Sequence, residues 1–218
     1  MKLIFQKSLL YAQLLGTDAN IIARIFKGVG IVMNTTEYAK VITQELTATL
    51  EKVSSKDGEK LVNMILDAKK ILVAGAGRSG FVAKAFAMRL MHMGFDAYVC
   101  GETVTPNLEK DDLFIVASGS GETGSLVNMA QKAQIIGAPI ATVTICPNGT
   151  IGSLAEVAVE IPAPTPKVEV DAGLTSIQPM GSLFEQSCLL FLDAVILRLM
   201  EKRHNDSDNM FIRHANLE

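Results

Sequence analysis

The chain has few cysteines, no basic run, no long uninterrupted apolar stretch and no internal repeat. Each absence excludes a class. Its three cysteines, Cys100, Cys146 and Cys188, are odd in number, far apart and without paired-ligand spacing. A disulfide framework or a zinc site is therefore not expected, and buried reduced thiols are. Twenty Lys+Arg face twenty-three Asp+Glu, for a net charge of −3. Non-specific nucleic-acid binding needs a basic stripe to neutralise phosphates, and none is present. Long apolar stretches are interrupted, residues 183–197 by Glu185 and Asp193, so none reaches the ~18 apolar residues of a membrane span. A soluble, cytoplasmic protein is expected.

What is present suits one globular domain. The chain has 218 residues, 49% apolar and 20% charged, enough to bury a full core unaided. Residues 1–33 differ from the rest. Residues 8–16 (SLLYAQLLG) follow Lys2 and Lys7 in the manner of a secretory leader, but no small-x-small cleavage site accompanies them. Ile21, Ile22, Ile25 and Phe26 can line one face of a short helix. Met33 is an alternative start, because regular organisation begins directly after it. Residues 1–32 are read as an extension without chemistry, and residues 33–218 as a single domain.

Asn34-Thr35-Thr36-Glu37 has the form of a capping box, and Tyr38, Val41, Ile42, Leu46 and Leu50 follow at helical spacing. Asp57-Gly58 is expected to break that helix, with a second over residues 61–68. Short apolar strands then alternate with helices. The expected strands are residues 71–74, 97–100, 113–117, 140–145 and 157–161. The expected helices are residues 81–93, 124–136, 151–155 and 182–202, with Gly94 and Gly137 as stops. Pro162, Pro164 and Pro166 begin an irregular stretch reaching Pro179, and a polar tail closes the chain. Short, wholly apolar strands each followed by a helix predict a three-layer α/β sandwich on a five-stranded parallel sheet.

In such sheets ligands bind beyond the carboxyl ends of the strands. Two loops there are rich in glycine and hydroxyl: Gly75-Ala76-Gly77-Arg78-Ser79-Gly80 and Ser118-Gly119-Ser120-Gly121-Glu122-Thr123. Their glycines let backbone N–H groups approach an anion, and the following helix N-terminus favours negative charge. Ser79, Ser118, Ser120 and Thr123 add hydroxyl donors and Arg78 a cation. This density of short donors suits a phosphate. The structural alternative makes Ser79 and Thr123 plain helix caps. A second alternative is a dinucleotide fold, because Gly75, Gly77 and Gly80 satisfy G-x-G-x-x-G with Glu102 past the second strand. A chain this short leaves no room for a separate catalytic domain, and the second loop has no role in that fold.

The pair GAGRSG and SGSGET resembles the SIS (sugar isomerase) domain family. Residues 86–92 (FAMRLMH), 101–106 (GETVTP), Phe184-Glu185 and 213–218 (RHANLE) narrow the resemblance to the 6-phospho-3-hexuloisomerase branch, over residues 33–218. The resemblance implies a flavodoxin-like topology and the interconversion of a 3-hexulose 6-phosphate with fructose 6-phosphate. It also implies a homotetramer, no metal or organic cofactor, no nucleic-acid or membrane partner, and work beside a 3-hexulose-6-phosphate synthase in formaldehyde fixation or detoxification.

Moving a carbonyl from C3 to C2 removes the C2 proton, passes through an enediolate and returns a proton to C3. One base on one face can make both transfers, with donors holding the enediolate oxygens. The resemblance makes Glu185 that base, partly desolvated by Leu183 and Phe184. From spacing alone Ser182-Leu183-Phe184-Glu185 is equally a capping box. His92 is the candidate for ring opening or O2/O3 proton movement, in a neighbouring subunit's site by the resemblance; the alternative is a helix C-terminal dipole contact. The phosphate and sugar contacts are assigned to Gly77, Arg78, Ser79, Ser118, Gly119, Ser120, Gly121, Glu122 and Thr123. Glu122 is expected to turn away from phosphate or meet a sugar hydroxyl. Glu102 and Thr103 are candidates for the site floor, while His204 and His214 lie in the polar end region. Met64, Met88, Met91, Met93 and Met129 read as core filling. A non-catalytic sugar-phosphate sensor and a related sugar-phosphate isomerase remain as alternatives.

Overall fold

Asn34 opens the first described helix, α1 (Thr35–Leu50), with the expected capping box. Its side-chain oxygen accepts from the N–H groups of Thr36 and Glu37, each at 3.0 Å, and Glu37 Oε2 accepts from Asn34 N–H at 2.8 Å. Donors that a helix start leaves without partners are thus satisfied. The computed structural model describes residues 33–167 and 174–217; the reading of residues 1–32 lies outside them. The chain divides into two compact units, residues 1–51 and 52–218. Helix α1 belongs to the first and every element below to the second.

Helix α2 (Ser55–Asp67) begins earlier than apolar spacing suggests. Ser54 Oγ accepts from Asp57 N–H at 3.2 Å, so Asp57-Gly58 sits inside the first turn instead of breaking a helix. The Asp57 carboxylate there also complements the positive end of the helix dipole.

Five parallel strands follow, β1 (Ile71–Gly75), β2 (Ala97–Val99), β3 (Leu113–Ala117), β4 (Ile140–Thr144) and β5 (Val157–Glu160), in the spatial order β2-β1-β3-β4-β5. Leu72 lies opposite Phe114 and Val73 opposite Ile115 in the β1–β3 register. Alternation along a strand sends these pairs to opposite faces. On one face Leu72, Ala74, Phe114, Val116 and Ile140 form a buried cluster with Leu126, Ala130 and Ala133 of α4 (Gly124–Ile136) and Ile151 of α5 (Thr150–Leu154). On the other face α3 (Gly77–His92) packs on β1 and on α6 (Ser182–Lys202), and α2 packs on α6 and β5. This is the expected three-layer sandwich. Each fully buried Leu, Ile or Phe contributes about 1.5–3 kcal/mol through area removed from water. A short helix, α7 (Ser207–Phe211), stands in what the sequence presents as a polar tail.

The chain runs from β1 out to the edge strand β2 and then returns across β1 to β3. The loops after β1 and β3 therefore open on the point where strand order reverses, which is where such sheets hold ligands. All three cysteines are free. Burial pushes the Cys100 thiol up to about 11 and the wholly buried Cys188 thiol up to about 12, so both are held as neutral thiols.

Candidate functional site

The carboxyl ends of β1 and β3 border a cleft of about 220 Å³. Gly77 and Ser79 line it from the first loop, Ser118, Gly119, Ser120 and Thr123 from the second, and Gly181, Phe184 and Glu185 from the last long helix. The first loop is shorter than its six-residue motif suggests, because α3 starts at Gly77 and not at Phe81. Gly77 turns the chain with φ +59°, and Arg78, Ser79 and Gly80 already lie in the first helical turn. Gly75 and Gly80 serve close approach. A Cβ on Gly75 would stand 2.8 Å from the Ser79 carbonyl oxygen, and one on Gly80 2.8 Å from the Gly75 carbonyl oxygen.

The second loop is tied to β4. The Gly119 carbonyl accepts from Ile145 N–H at 2.9 Å and from Thr144 Oγ1 at 3.2 Å. Ser118 Oγ accepts from Gly121 N–H at 3.2 Å and Ser120 Oγ from Glu122 N–H at 3.3 Å, which leaves each hydroxyl its own proton to donate. The helix-cap alternative for Ser79 and Thr123 does not hold. The N-cap of α3 is Ala76, and Thr123, though at the N-cap of α4, makes no side-chain cap bond. Both hydroxyls are left for the cleft, beside two helix N-termini whose partial positive charge favours an anion.

Glu185 is placed by its neighbours. Phe184 is buried, and its ring approaches so closely that a Cβ on Gly119 would meet it at 3.2 Å. The capping box read into residues 182–185 does not form, because Gly181 is the N-cap and makes no side-chain cap bond. The Glu185 side chain is only 17% exposed, and its Oε2 accepts from Arg78 Nε at 2.5 Å. The Arg78 guanidinium, expected at the phosphate, is thus paired with the carboxylate, and Arg78 itself lies outside the cleft lining.

Glu122 turns away from the cleft. Its Oε1 accepts from Thr150 N–H at 2.6 Å and its Oε2 from Thr150 Oγ1 at 2.7 Å, so it caps α5. The first cause, the Thr150 N–H bond, and then the hydroxyl bond hold its pKa below the ordinary value near 4.5. A depressed folded-state value contributes stability that is present above pH 4.5 and lost as pH falls through the folded value. Glu122→Gln is therefore expected to be less stable than the wild type at pH 7. The gap should narrow in urea titrations run below pH 4; a pH-independent gap would contradict the capping account. Gly121 takes φ +67° to make the turn that aims Glu122. Glu102 pairs with Lys84 at 2.5 Å and lies outside the cleft lining, as Thr103 does.

His92 is not brought to this cleft. It is buried in a second recess of about 410 Å³ with Arg89, Asp193, Phe211 and His214. Its ring stacks on His214 with centroids 5.5 Å apart, and its Nδ1 lies 3.4 Å from Arg89 Nη1. Burial, and then the charges of Arg89 and His214, push its pKa below the ordinary imidazole value.

The SIS domain model matches residues 64–190, a span that contains every residue of the cleft. The chain is 50% identical over 186 residues to a 3-hexulose-6-phosphate isomerase of Bacillus subtilis, covering 85% of this chain and all of the relative. It is 39% identical over 184 residues to a 3-hexulose-6-phosphate isomerase of Mycobacterium gastri, covering 84% and 91%. The crystal structure of a Methanococcus jannaschii protein, inferred to be a 3-hexulose-6-phosphate isomerase, superposes with a TM-score of 0.73 at 35% identity, covering 84% and 99%. The chain belongs to the SIS family, in its 3-hexulose-6-phosphate isomerase branch.

In this SIS domain part of the cleft wall carries no sequence motif. Thr165, Pro166, Lys167 and Met180 line the cleft from the irregular stretch after β5. Proline spacing marked that stretch as a loop, but no periodic pattern says where a loop leads. The signal that was available is positional. A segment leaving the carboxyl end of a parallel strand lies on the ligand side of the sheet.

Proposed function

We propose that the protein interconverts a 3-hexulose 6-phosphate and fructose 6-phosphate through an enediolate, with Glu185 as the base. One observation carries this reading. The Glu185 carboxylate stands on the wall of the same cleft as Ser79, Ser118, Ser120 and Thr123, and is held there by Arg78. The hydroxyls and the two helix N-termini take the phosphate, and Glu185 faces the sugar carbons. Glu185 removes the C2 proton, the electron pair forms the C2–C3 double bond of the enediolate, and the same carboxyl returns the proton to C3. The O2 proton leaves as O3 gains one, so no net charge or redox equivalent is exchanged with solvent. The Arg78 guanidinium, through its Nε bond to Glu185 Oε2, holds the carboxylate orientation, and cleft hydroxyls supply donors for an enediolate oxygen.

A homotetramer is the assembly that fits this reading. Met88 and Met91 of α3 and Leu190 and Leu197 of α6 are each 40% exposed or more, and subunit contacts would cover them. His92, beneath the tail of its own chain, would then serve at a neighbouring subunit. Among the described residues no helix is long and apolar enough to cross a membrane.

A coupled assay tests the reading. A synthase generates the hexulose phosphate from formaldehyde and ribulose 5-phosphate, and fructose 6-phosphate is followed with EDTA present. Turnover under EDTA is expected. No turnover, with thermal stabilisation by sugar phosphates retained, would turn the reading to a sensor or another isomerase.

A further inference from the structure

Lys167 reaches the cleft on the segment that leaves β5. The backbone leading to it is anchored and stiff. Ile161 N–H donates to the Thr144 carbonyl at 2.8 Å, and Ile161 and Ala163 are fully buried. Pro162, Pro164 and Pro166 alternate with them, each fixing its own φ. Lys167 N–H then donates to Thr165 Oγ1 at 3.3 Å. Lys167 thereby joins the cleft lining from a defined base.

The charges around the cleft single this residue out. Arg78 is paired with Glu185 and Lys84 with Glu102. Among the described residues that line the cleft, Lys167 is the one cation, and it makes no ion pair with any described residue. Hydroxyls and helix N-termini offer partial charges only, whereas a phosphate monoester carries about −1.5 to −2 at pH 7. A full positive charge on this wall adds an attraction for a dianion that those partial charges do not match. A lysine suits the task, because its point charge on a flexible stem can follow a phosphate that enters and leaves at every turnover.

We propose that Lys167 is the counter-charge for the substrate phosphate and sets the preference of the site for phosphorylated over free sugars. The proposal rests on the sugar-phosphate reading of the cleft. It differs from that reading in placing the discriminating charge outside both glycine loops. Lys167 is exposed, so its replacement leaves the fold intact.

The test compares the full-length wild type with Lys167→Met and Lys167→Arg. It measures kcat and KM in the coupled assay, and Kd for fructose 6-phosphate and for inorganic phosphate by calorimetry at several salt concentrations. Lys167→Met is expected to raise KM and both Kd values by about 10–100-fold, the usual weight of a charge-assisted hydrogen bond. It should leave kcat within threefold and flatten the salt dependence of Kd, and Lys167→Arg should recover most of the affinity. Kd and KM within twofold of the wild type in Lys167→Met would overturn the proposal, as would a fall in kcat at unchanged KM. If the wild type binds fructose 6-phosphate without turning over hexulose phosphate, the isomerase reading fails while the Kd comparison still decides the role of Lys167. If the wild type binds neither ligand, both fall.

Discussion

Glu185→Gln is expected to lower kcat by about 10²–10⁴-fold, the usual contribution of a positioned general base, while the protein stays folded and still binds fructose 6-phosphate. The amide is isosteric with the carboxylate and its oxygen still accepts from Arg78 Nε, now 2.5 Å from Glu185 Oε2. The substitution removes the proton acceptor and one charge of a pair whose arginine is 64% exposed. The amide keeps the Nε hydrogen bond and the arginine keeps its solvent face, so the melting temperature should move by only a few degrees. Three readings decide: kcat in the coupled assay, the thermal midpoint, and Kd for the product. Turnover within tenfold of the wild type would remove Glu185 as the base. A collapse of the midpoint would make it a structural residue joining α3 to α6.

Gly75→Ala is expected to be the most damaging single-methyl change at the site. The new Cβ would stand 2.8 Å from the Ser79 carbonyl oxygen and 2.9 Å from Gly80 Cα. Both are backbone atoms of the first turn of α3, so no side chain can rotate away. Either β1 loses its register with β3 or the helix start moves outward, carrying Ser79 from the cleft. Overpacking of this kind costs about 1–3 kcal/mol. Gly75→Ala should therefore lose that much in urea unfolding and, in addition, bind fructose 6-phosphate at least tenfold more weakly. Gly124→Ala is the control, because nothing lies within 4 Å of its Cβ position. Equal damage from both would show that general helix and loop propensity, and not this contact, is at work.

Most of the sandwich was legible, because its signals are local. β3 (Leu113–Ala117), α4 (Gly124–Ile136) and α6 (Ser182–Lys202) fall where apolar runs, Gly137 and helical spacing put them. The misplacements occur where local rules compete. Asp57-Gly58 is a turn pair by composition, yet the Ser54 cap recruits it into α2. Residues 77–80 read as loop because of their glycines, yet a positive φ at Gly77 lets the helix begin there. The carboxylate of Glu185 fits a capping box until Gly181 takes the N-cap position. At the cleft, the two glycine loops could be seen because each is contiguous in sequence. The Arg78–Glu185 pair and the approach of Lys167 could not, since they join segments that only the folded sheet brings together. His92 illustrates the limit of motif reading. Its helix was identified, but the stacking of His214 over it depends on the path of the tail.

The Arg78–Glu185 bond spans 107 residues of chain, and this separation has a consequence for how the molecule is made. During synthesis every strand and both glycine loops have been added before Ser182 is, so the phosphate-type loops are complete in sequence on a chain that still has no base and lacks a helix of its core. The site is completed only when α6 docks on α3. In refolding, regain of turnover should therefore not precede docking of α6, and a nascent chain stopped before α6 would not yet be a catalyst.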